Sequence, residues 1–373
     1  MRVLIMSFQS PAVASSAAIL FCFFQALSSQ AFATEVRTIA GIGERGWKGD
    51  GGAASLAAVG EPYGVEVGPD GALYITEIAS HVIRRVDLQT GLISTVAGVG
   101  EKGYSGDGGP ATGAMLYEPY EVRFDSRGNL LFVEMKGAVV RKVDAKTGII
   151  STIAGTGEEG FSGDGGPATD AKLKQPHSIA LDSQDNVYIC DIGNHRIRRV
   201  DSVTGTISTF AGTGSREPTP DGAPISGTPL NGPRALDFDN QGHFALALRE
   251  GNSIYRMELK DSRLRHVGGN GQKGYTGDGG DAKAATLSGP KGIAFGSNGD
   301  IYFADTESHT IRVVRAISGL IETVVGDGQR GDGPDGDPRK CRLARPHGIC
   351  VDGKGNLYIG DSESFKVRVI KVE

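Results

Sequence analysis

Residues 152–212 read TIAGTGEEGFSGDGGPATDAKLKQPHSIALDSQDNVYICDIGNHRIRRVDSVTGTISTFAG, a stretch that ends by repeating the phrase with which it begins. The glycine that closes this phrase recurs every 57 residues, at Gly41, Gly98, Gly155, Gly212, Gly269 and Gly326. Internal periods of this size are typical of solenoids, propellers and arrays. The repeat therefore has to be interpreted before any single motif.

Two further markers give the same count. An Asp-Gly pair begins at Asp50, Asp107, Asp164, Asp221, Asp278 and Asp335. A proline opens the first hydrophobic run of each unit, at Pro62, Pro119, Pro176, Pro233, Pro290 and Pro346. The chain thus contains six units, the last of which is one residue shorter before its proline.

Each unit contains four short segments with the pattern of strands. In the third unit they are residues 178–181, 186–190, 195–200 and 206–211, with turn residues between them. Such runs indicate antiparallel β-structure, and six repeats of four strands predict an all-β, six-bladed β-propeller. A β-solenoid is the alternative, although its repeats are usually shorter and its strands parallel.

The two ends of the repeat region complement each other. Residues 35–40 (EVRTIA) resemble a fourth strand with no blade before it, and residues 366–372 (KVRVIKV) resemble a third strand with no fourth after it. We therefore predict that the N-terminal strand completes the last blade and closes the ring.

Residues 186–212 closely resemble the NHL-repeat pattern GNLYIADxxNHRIRRVDxxTGxISTVAG. The likeness covers essentially all of residues 35–373 and implies the propeller fold. NHL-type propellers include RNA binders, receptor and adhesion modules and a few lyases, so the function has to be inferred from the site rather than from the fold.

The first 33 residues have the pattern of a signal peptide. Arg2 supplies a positive start, residues 17–24 an apolar core, and residues 31–33 an A-x-A cleavage site. The apolar run is shorter than the ~20 residues that span a bilayer. We predict a signal peptide over 1–33, a propeller domain over 34–373, no membrane span, and export to the periplasm or the extracellular space.

The charge of the chain bears on its partners. The formal net charge is −5 and the pI about 5.9, so the chain has no long-range attraction for nucleic acid. We expect a monomer whose top face binds a protein, a glycan or a small molecule, and no nucleic-acid partner.

The position after the blade-opening proline mixes aromatic, basic and imidazole groups in a way that no other position does. Since it begins the innermost strand, its side chains can face the axis; its occupants are Tyr63, Tyr120, His177, Arg234, Lys291 and His347. We expect these six to form a common ligand-binding pocket.

Two of these positions carry a further resemblance. Residues 176–178 (PHS) and 346–348 (PHG) resemble the zinc-binding Pro-His positions of the peptidylglycine amidating lyase, another NHL-type propeller. The resemblance implies that His177 and His347 are metal ligands, although that lyase uses three histidines. A carboxylate such as Asp191 or Asp361 could complete a zinc site; a polar rim without metal is the other interpretation.

An acidic residue ends the second strand of five units: Glu77, Glu134, Asp191, Asp305 and Asp361. These acids either tie the turn to the third strand or form a negative, ligand-binding ring near the axis. The third-strand arginines are expected to pair with them or to lie on the outer face; they are Arg84, Arg141, Arg198, Arg312 and Arg368. The Gly-Asp-Gly-Gly loops around Asp50, Asp107, Asp164 and Asp278 are expected to be structural, with a peripheral Ca²⁺ site as the alternative.

Two local departures complete the pattern. The fourth unit replaces the acid by Leu248 and the arginine by Tyr255, which suggests a specialised top face or simple drift. Cys341 and Cys350 flank the start of a strand, so they could form a disulfide or stay reduced together with Cys190.

Two functions remain open. The first is an exported binding module that acts through the top face and the channel mouth and requires no cofactor. The second is a metal-assisted lyase or hydrolase, with zinc or calcium on the axis and all six axial residues as catalytic candidates. There Arg234 or Lys291 would neutralise a developing oxyanion, and Tyr63 or Tyr120 would relay a proton.

Overall fold

Twenty-four strands in six antiparallel sheets of four make up the part of the chain that the structure describes, residues 35–239 and 241–372. The structure is a computed structural model. It confirms the predicted six-bladed β-propeller. The signal peptide predicted over residues 1–33 lies outside the described residues.

The strands follow one another blade by blade. The chain begins with β1 (Arg37–Ala40). Blade one holds β2 (Pro62–Val67), β3 (Leu73–Glu77), β4 (Val82–Val86) and β5 (Ile93–Ala97). Blade two holds β6 (Pro119–Phe124), β7 (Leu130–Glu134), β8 (Val139–Val143) and β9 (Ile150–Ala154). Blade three holds β10 (Pro176–Leu181), β11 (Val187–Asp191), β12 (Arg196–Val200) and β13 (Ile207–Ala211).

The second half repeats this plan. Blade four holds β14 (Pro233–Phe238), β15 (His243–Leu248), β16 (Ser253–Glu258) and β17 (Arg263–Gly268). Blade five holds β18 (Pro290–Phe295), β19 (Ile301–Asp305), β20 (Thr310–Val314) and β21 (Ile321–Val325). Blade six holds β22 (Pro346–Val351), β23 (Asn356–Asp361) and β24 (Lys366–Lys371), and β1 supplies its fourth strand.

Short 3₁₀ turns occur in the long loops between blades and after three of the second strands. They span Ala54–Leu56, Ala111–Gly113, Ala168–Asp170, Ile192–Asn194, Ala282–Ala284, Thr306–Ser308 and Ser362–Ser364. We call the face at which the inner strands begin the top face. None of the helical segments in the described ranges is long and apolar enough to cross a membrane.

The ring closes as the sequence predicts. Strand β1 pairs antiparallel with β24, with Arg37 opposite Val369 and Thr38 opposite Arg368. Thr38 also donates from its backbone amide and its hydroxyl to Asp335, at 2.8 Å each. The closure therefore combines a strand ladder with side-chain hydrogen bonds to the loop that precedes blade six.

The hydrophobic core lies between the blades rather than within one of them. One cluster, for example, joins Tyr188 of blade three to Leu236 and Phe244 of blade four. The first strands of neighbouring blades also contact one another around the ring, so they are the innermost strands. Cys190, Cys341 and Cys350 are buried and unpaired, which decides against the disulfide considered above.

A buried arginine anchors the top of five blades. In blade two, Arg141 is fully buried and bonds Glu134 at 2.9 Å and the loop residue Asp107 at 2.7 Å. The same three-way arrangement recurs at Arg84, Arg198, Arg312 and Arg368. These arginines thus join the second strand to the long loop, and the expectation that they pair with the acids is confirmed.

Candidate functional site

A β-bulge lies at the start of every inner strand. In blade one the pairing of β2 with β3 shifts between Pro62 and Val65, and the other five inner strands shift at the equivalent place. The residue before each proline has a positive φ, for example +56° at Glu61. Bulges redirect the side chain that they release from the ladder, so the residue after each proline is free to turn toward the axis.

The six side chains released in this way meet at the axis, and we call them the axial ring. The rings of Tyr63 and Tyr120 lie 4.7 Å apart, and Tyr63 stacks on His347 at 3.8 Å. His177 meets Tyr120 at 4.7 Å. Arg234 of blade four also reaches the Tyr120 ring of blade two, across blade three, and blades that are not neighbours can meet in this way only near the axis. The structure therefore brings together the six residues singled out from the sequence.

The remaining two members of the axial ring are cationic. The guanidinium carbon of Arg234 lies 5.5 Å from the centre of the Tyr120 ring, a cation–π distance. Lys291 Nζ lies 3.3 Å from His347 Nε2 and 2.9 Å from Glu307 Oε1. Blades four and five thus give this site its positive charge.

The two histidines are neutral bases that present Nε2 to the channel. His177 Nδ1 lies 2.6 Å from the carbonyl of Gln175, and His347 Nδ1 lies 2.8 Å from that of Arg345. Since a carbonyl only accepts, Nδ1 carries the proton in both rings. Burial, helped by the nearby cations, holds the pKa of both imidazoles well below the usual value.

Burial also changes the ionisation of the lysine. It lowers the pKa of Lys291 to about 7, against the opposing effect of Glu307. Glu307 itself bonds both Lys291 and Arg345, and these cations lower its pKa to about 2. The mouth of the channel therefore holds a lysine whose charge changes near neutral pH.

A second charged layer lies further along the inner strands, and sequence reasoning missed it. Arg123 bonds Glu121 at 2.7 Å and Glu66 at 3.3 Å, and it interacts with Asp237. Glu66, Arg123 and Asp237 line a cavity of about 390 Å³ at the opposite end of the inner strands. These three residues occupy the same position of the repeat, which is charged in units one, two and four and uncharged in the others. This difference between units was the sequence signal that could have identified the layer.

The five acids that end the second strands do not line the channel, which corrects the hypothesis of a ligand-binding negative ring. All five are 0% exposed: Glu77, Glu134, Asp191, Asp305 and Asp361. Each accepts a hydrogen bond from a backbone amide and pairs with its arginine, as Glu134 does with Tyr117 N at 2.6 Å and with Arg141. These acids stabilise the blades.

The axial ring does not fit a three-ligand metal site. The described residues contain no cluster of three or more His, Cys, Asp or Glu side chains placed to hold a metal ion. His347 Nε2 faces the amine of Lys291, and Arg234 lies near His177. Catalytic zinc usually has three protein ligands and an open fourth position. A cation would here meet two imidazoles and two basic side chains.

The Gly-Asp-Gly-Gly loops are engaged in the same way. Asp164 bonds Arg198 Nη2 at 2.7 Å and the Thr209 hydroxyl at 2.7 Å, and Asp107 bonds Arg141 and the amide of Thr152. Their carboxylate oxygens thus already have protein partners, which supports the structural interpretation over calcium binding.

Comparison with known proteins agrees with the repeat. Residues 173–200 and 343–370 match the family described as NHL repeat, and residues 268–332 match the teneurin NHL domain. NHL repeat-containing protein 2 from Bos taurus is 25% identical over 294 residues, which is 70% of this chain and 40% of that protein. Human teneurin-4 is 27% identical over 351 residues, which is 83% of this chain and 12% of that protein.

The chain therefore spans less than half the length of these relatives. Among solved structures, an auxiliary nutrient binding protein from Bacteroides ovatus superimposes with a TM-score of 0.65 at 17% identity. The match covers 90% of this chain and 76% of that one. At this identity the likeness shows the fold alone.

Proposed function

Since the chain carries NHL repeats that close into a six-bladed propeller, we propose that it is an exported binding module whose site is the axial ring. One observation carries the proposal: six polar or aromatic side chains from six blades meet at the mouth of one channel. Clefts with a few convergent polar groups among aromatic walls are the usual form of small-molecule sites.

The axial ring carries a free-energy cost that a purely structural, apolar arrangement would avoid. His177, Arg234, Lys291 and His347 are each less than a tenth exposed, yet two are cationic groups and two are bases. Apolar side chains would close the channel without the cost of burying charge. A binding role accounts for the free-energy cost of burying these groups, because convergent donors and acceptors can recognise a ligand.

The first 33 residues bear on export, and the contacts within the axial ring bear on the size of the ligand. The signal-peptide pattern of residues 1–33 supports export, and the solved neighbour named as a nutrient binding protein is consistent with a binding role. The aromatic members of the ring contact one another directly, with centroids 3.8–4.7 Å apart, so the ligand that we propose is a small molecule rather than a protein segment or a long glycan.

A ligand screen with two matched variants tests this proposal. We would screen monosaccharides, sugar acids, amino acids and short carboxylic acids by thermal shift and ligand-observed NMR. His177→Leu alters the axial ring, whereas His266→Leu alters an outer strand whose histidine bonds the carbonyls of Gly268 and Gly269 and packs against Tyr255. Binding that is lost with the first variant and kept with the second supports the site; the reverse pattern contradicts it.

A further inference from the structure

We propose that the axial ring binds a small molecule carrying an oxyanion, a carboxylate or a phosphate group, and that Arg234 is its anchor. This inference rests on the proposed binding function and names the ligand class for the same site. It is carried by a buried guanidinium that has no counter-ion among the residues that the structure describes.

Arg234 is 4% exposed. Among residues 35–239 and 241–372 it forms neither a hydrogen bond nor an ion pair, and its direct contact is with the face of the Tyr120 ring. A buried charge without hydrogen bonds is costly, and proteins usually pair it. The missing partner therefore needs an explanation.

The other buried arginines of this protein show what pairing looks like here. Arg141 bonds two carboxylates, and so do its four equivalents in other blades. Arg123, also in the channel, bonds Glu121 and Glu66. The other buried arginines in the described residues are thus paired, and Arg234, the exception, lies where six blades meet.

The carboxylates near Arg234 are already engaged. Among the carboxylates, Glu121 has the largest electrostatic effect on the pKa of Arg234, and it pairs with Arg123 at 2.7 Å. On the other side, Glu307 is shared between Lys291 and Arg345, at 2.9 and 2.7 Å. Either carboxylate could reach Arg234 only by leaving a cation with which it already pairs.

The guanidinium is open to the channel. None of its nitrogens belongs to the fully sealed polar atoms without a hydrogen-bond partner, and the residue keeps 4% of its surface exposed. A guanidinium presents planar, paired N–H donors that match the geometry of a carboxylate or a phosphate. A ligand oxyanion would thus supply the missing counter-ion.

The rest of the axial ring suits the remainder of such a ligand. In the described part of the chain, His177 Nε2 carries a lone pair without a hydrogen-bond donor, so it can accept from a hydroxyl. Tyr63 and Tyr120 are partly exposed and offer aromatic surface and hydroxyls. Lys291 adds a second donor beside Arg234. A hydroxylated or aromatic acid uses all of these groups.

The first test needs no ligand. Replacing an unpaired buried cation with an apolar side chain removes a cost, so Arg234→Met is expected to hold or raise the Tm of the purified protein. Arg141→Met, which leaves Glu134 and Asp107 unpaired, is expected to lower it. A loss of Tm in Arg234→Met as large as in Arg141→Met would overturn the proposal, because it would show that Arg234 is paired within the fold.

The second test uses matched probes. We would measure binding of inorganic phosphate, and of D-glucuronate against D-glucose and benzoate against benzyl alcohol, at constant ionic strength by calorimetry and NMR. The wild type is expected to favour the charged member of each matched pair about tenfold or more, as for a hydrogen bond to a charged group. Arg234→Gln should abolish the preference, and Arg256→Gln, an exposed arginine of the same blade, should keep it.

The outcomes separate the two proposals. If neutral members bind as well as charged ones and His177→Leu abolishes that binding, the axial site stands and its anionic specificity is wrong. If oxyanions bind equally to wild type and Arg234→Gln, the anchor is wrong. If neither phosphate nor any of the carboxylates binds at millimolar concentration, the oxyanion inference fails, and the wider screen decides the binding function.

Discussion

The hydroxyl of Tyr255 donates its hydrogen bond to the carbonyl of Thr219, at the place where four other blades use a buried arginine. The equivalent carbonyls of Lys48, Ser105, Ser162 and Thr276 all accept from those arginines. Leu248 replaces the acid of the same network. Blade four has thus lost a positive and a negative group together, and a neutral hydroxyl donates the hydrogen bond that the loop carbonyl accepts. This explains the departure without a functional specialisation of these two residues.

We predict that the acid and the arginine of a blade are strongly coupled. In blade three, Arg198→Tyr removes the cationic partner of Asp191, and Asp191→Leu removes one carboxylate from Arg198; breaking a buried pair costs about 3–5 kcal/mol. The double variant, which copies blade four, should cost about 1–3 kcal/mol less than the sum of the two. Denaturant unfolding of all four proteins measures this.

An exposed ion pair provides the control for this cycle. Arg315 and Glu322 bond at 2.7 Å but are 35% and 44% exposed. Their coupling should stay below about 1 kcal/mol. Additive effects at the buried pair of blade three would show that the charges do not depend on each other.

Closure of the ring should depend on the buried residue that directly precedes β1. Val36 is 0% exposed and pairs with Gly336, whereas Arg37, its neighbour, is exposed. Val36→Asp should lower the Tm by several degrees and promote aggregation, since it buries a charge and frees the edge of β24. Arg37→Asp is the matched control and should change the Tm little. Equal effects of the two variants would contradict the closure seen here.

The charge of Lys291 predicts a pH dependence of stability. Its pKa is about 7 in the folded protein, whereas the ordinary value for lysine is about 10.5, so between these pH values the unfolded chain binds the proton that the folded chain has released. The stability of the wild type relative to Lys291→Met therefore rises with pH in this window, by at most about 1.4 kcal/mol per pH unit. Below pH 7 Lys291 is protonated in both the folded and the unfolded protein, so the stability advantage of Lys291→Met over the wild type is greatest there.

Unfolding of both proteins at about pH 6, 8 and 9.5 checks the sign of this linkage. The groups that surround the amine are Glu307, His347, Arg234 and Arg345. Glu307→Gln should lower the pKa of Lys291 further and move the window to lower pH. A difference between wild type and Lys291→Met that stays constant from pH 6 to 9.5 would contradict the shift.

Metal addition should leave the stability of the protein unchanged. The carboxylate of Asp164 is engaged by Arg198 and Thr209, and the axial histidines face basic groups. We expect no Tm shift with Ca²⁺ or Zn²⁺ after chelation, and Asp164→Asn should lower the Tm equally with and without Ca²⁺. Stoichiometric zinc that is lost in His177→Ala would instead favour the metal-assisted lyase or hydrolase.

Much of the architecture could be predicted from the sequence because repetition makes local patterns unambiguous. The spacing of the glycines, Asp-Gly pairs and prolines determined six units, and the unmatched terminal strands determined the closure of β1 on β24. The prolines also marked the six axial positions, since each fixes the start of an inner strand. These features follow from regular spacing along the chain, which a sequence displays directly.

Only the tertiary structure decided which charges are used within the fold. From the sequence, the acids from Glu77 to Asp361 either tied the turn to the third strand or faced the channel. In the structure they bond arginines from the next strand, and carboxylates from a loop bond the same arginines. Arg234 and Arg141 are both buried arginines, and within the described residues Arg141 has carboxylate partners whereas Arg234 has none. Pairing depends on distances between residues far apart in the chain, and burial then sets the cost of each unpaired charge.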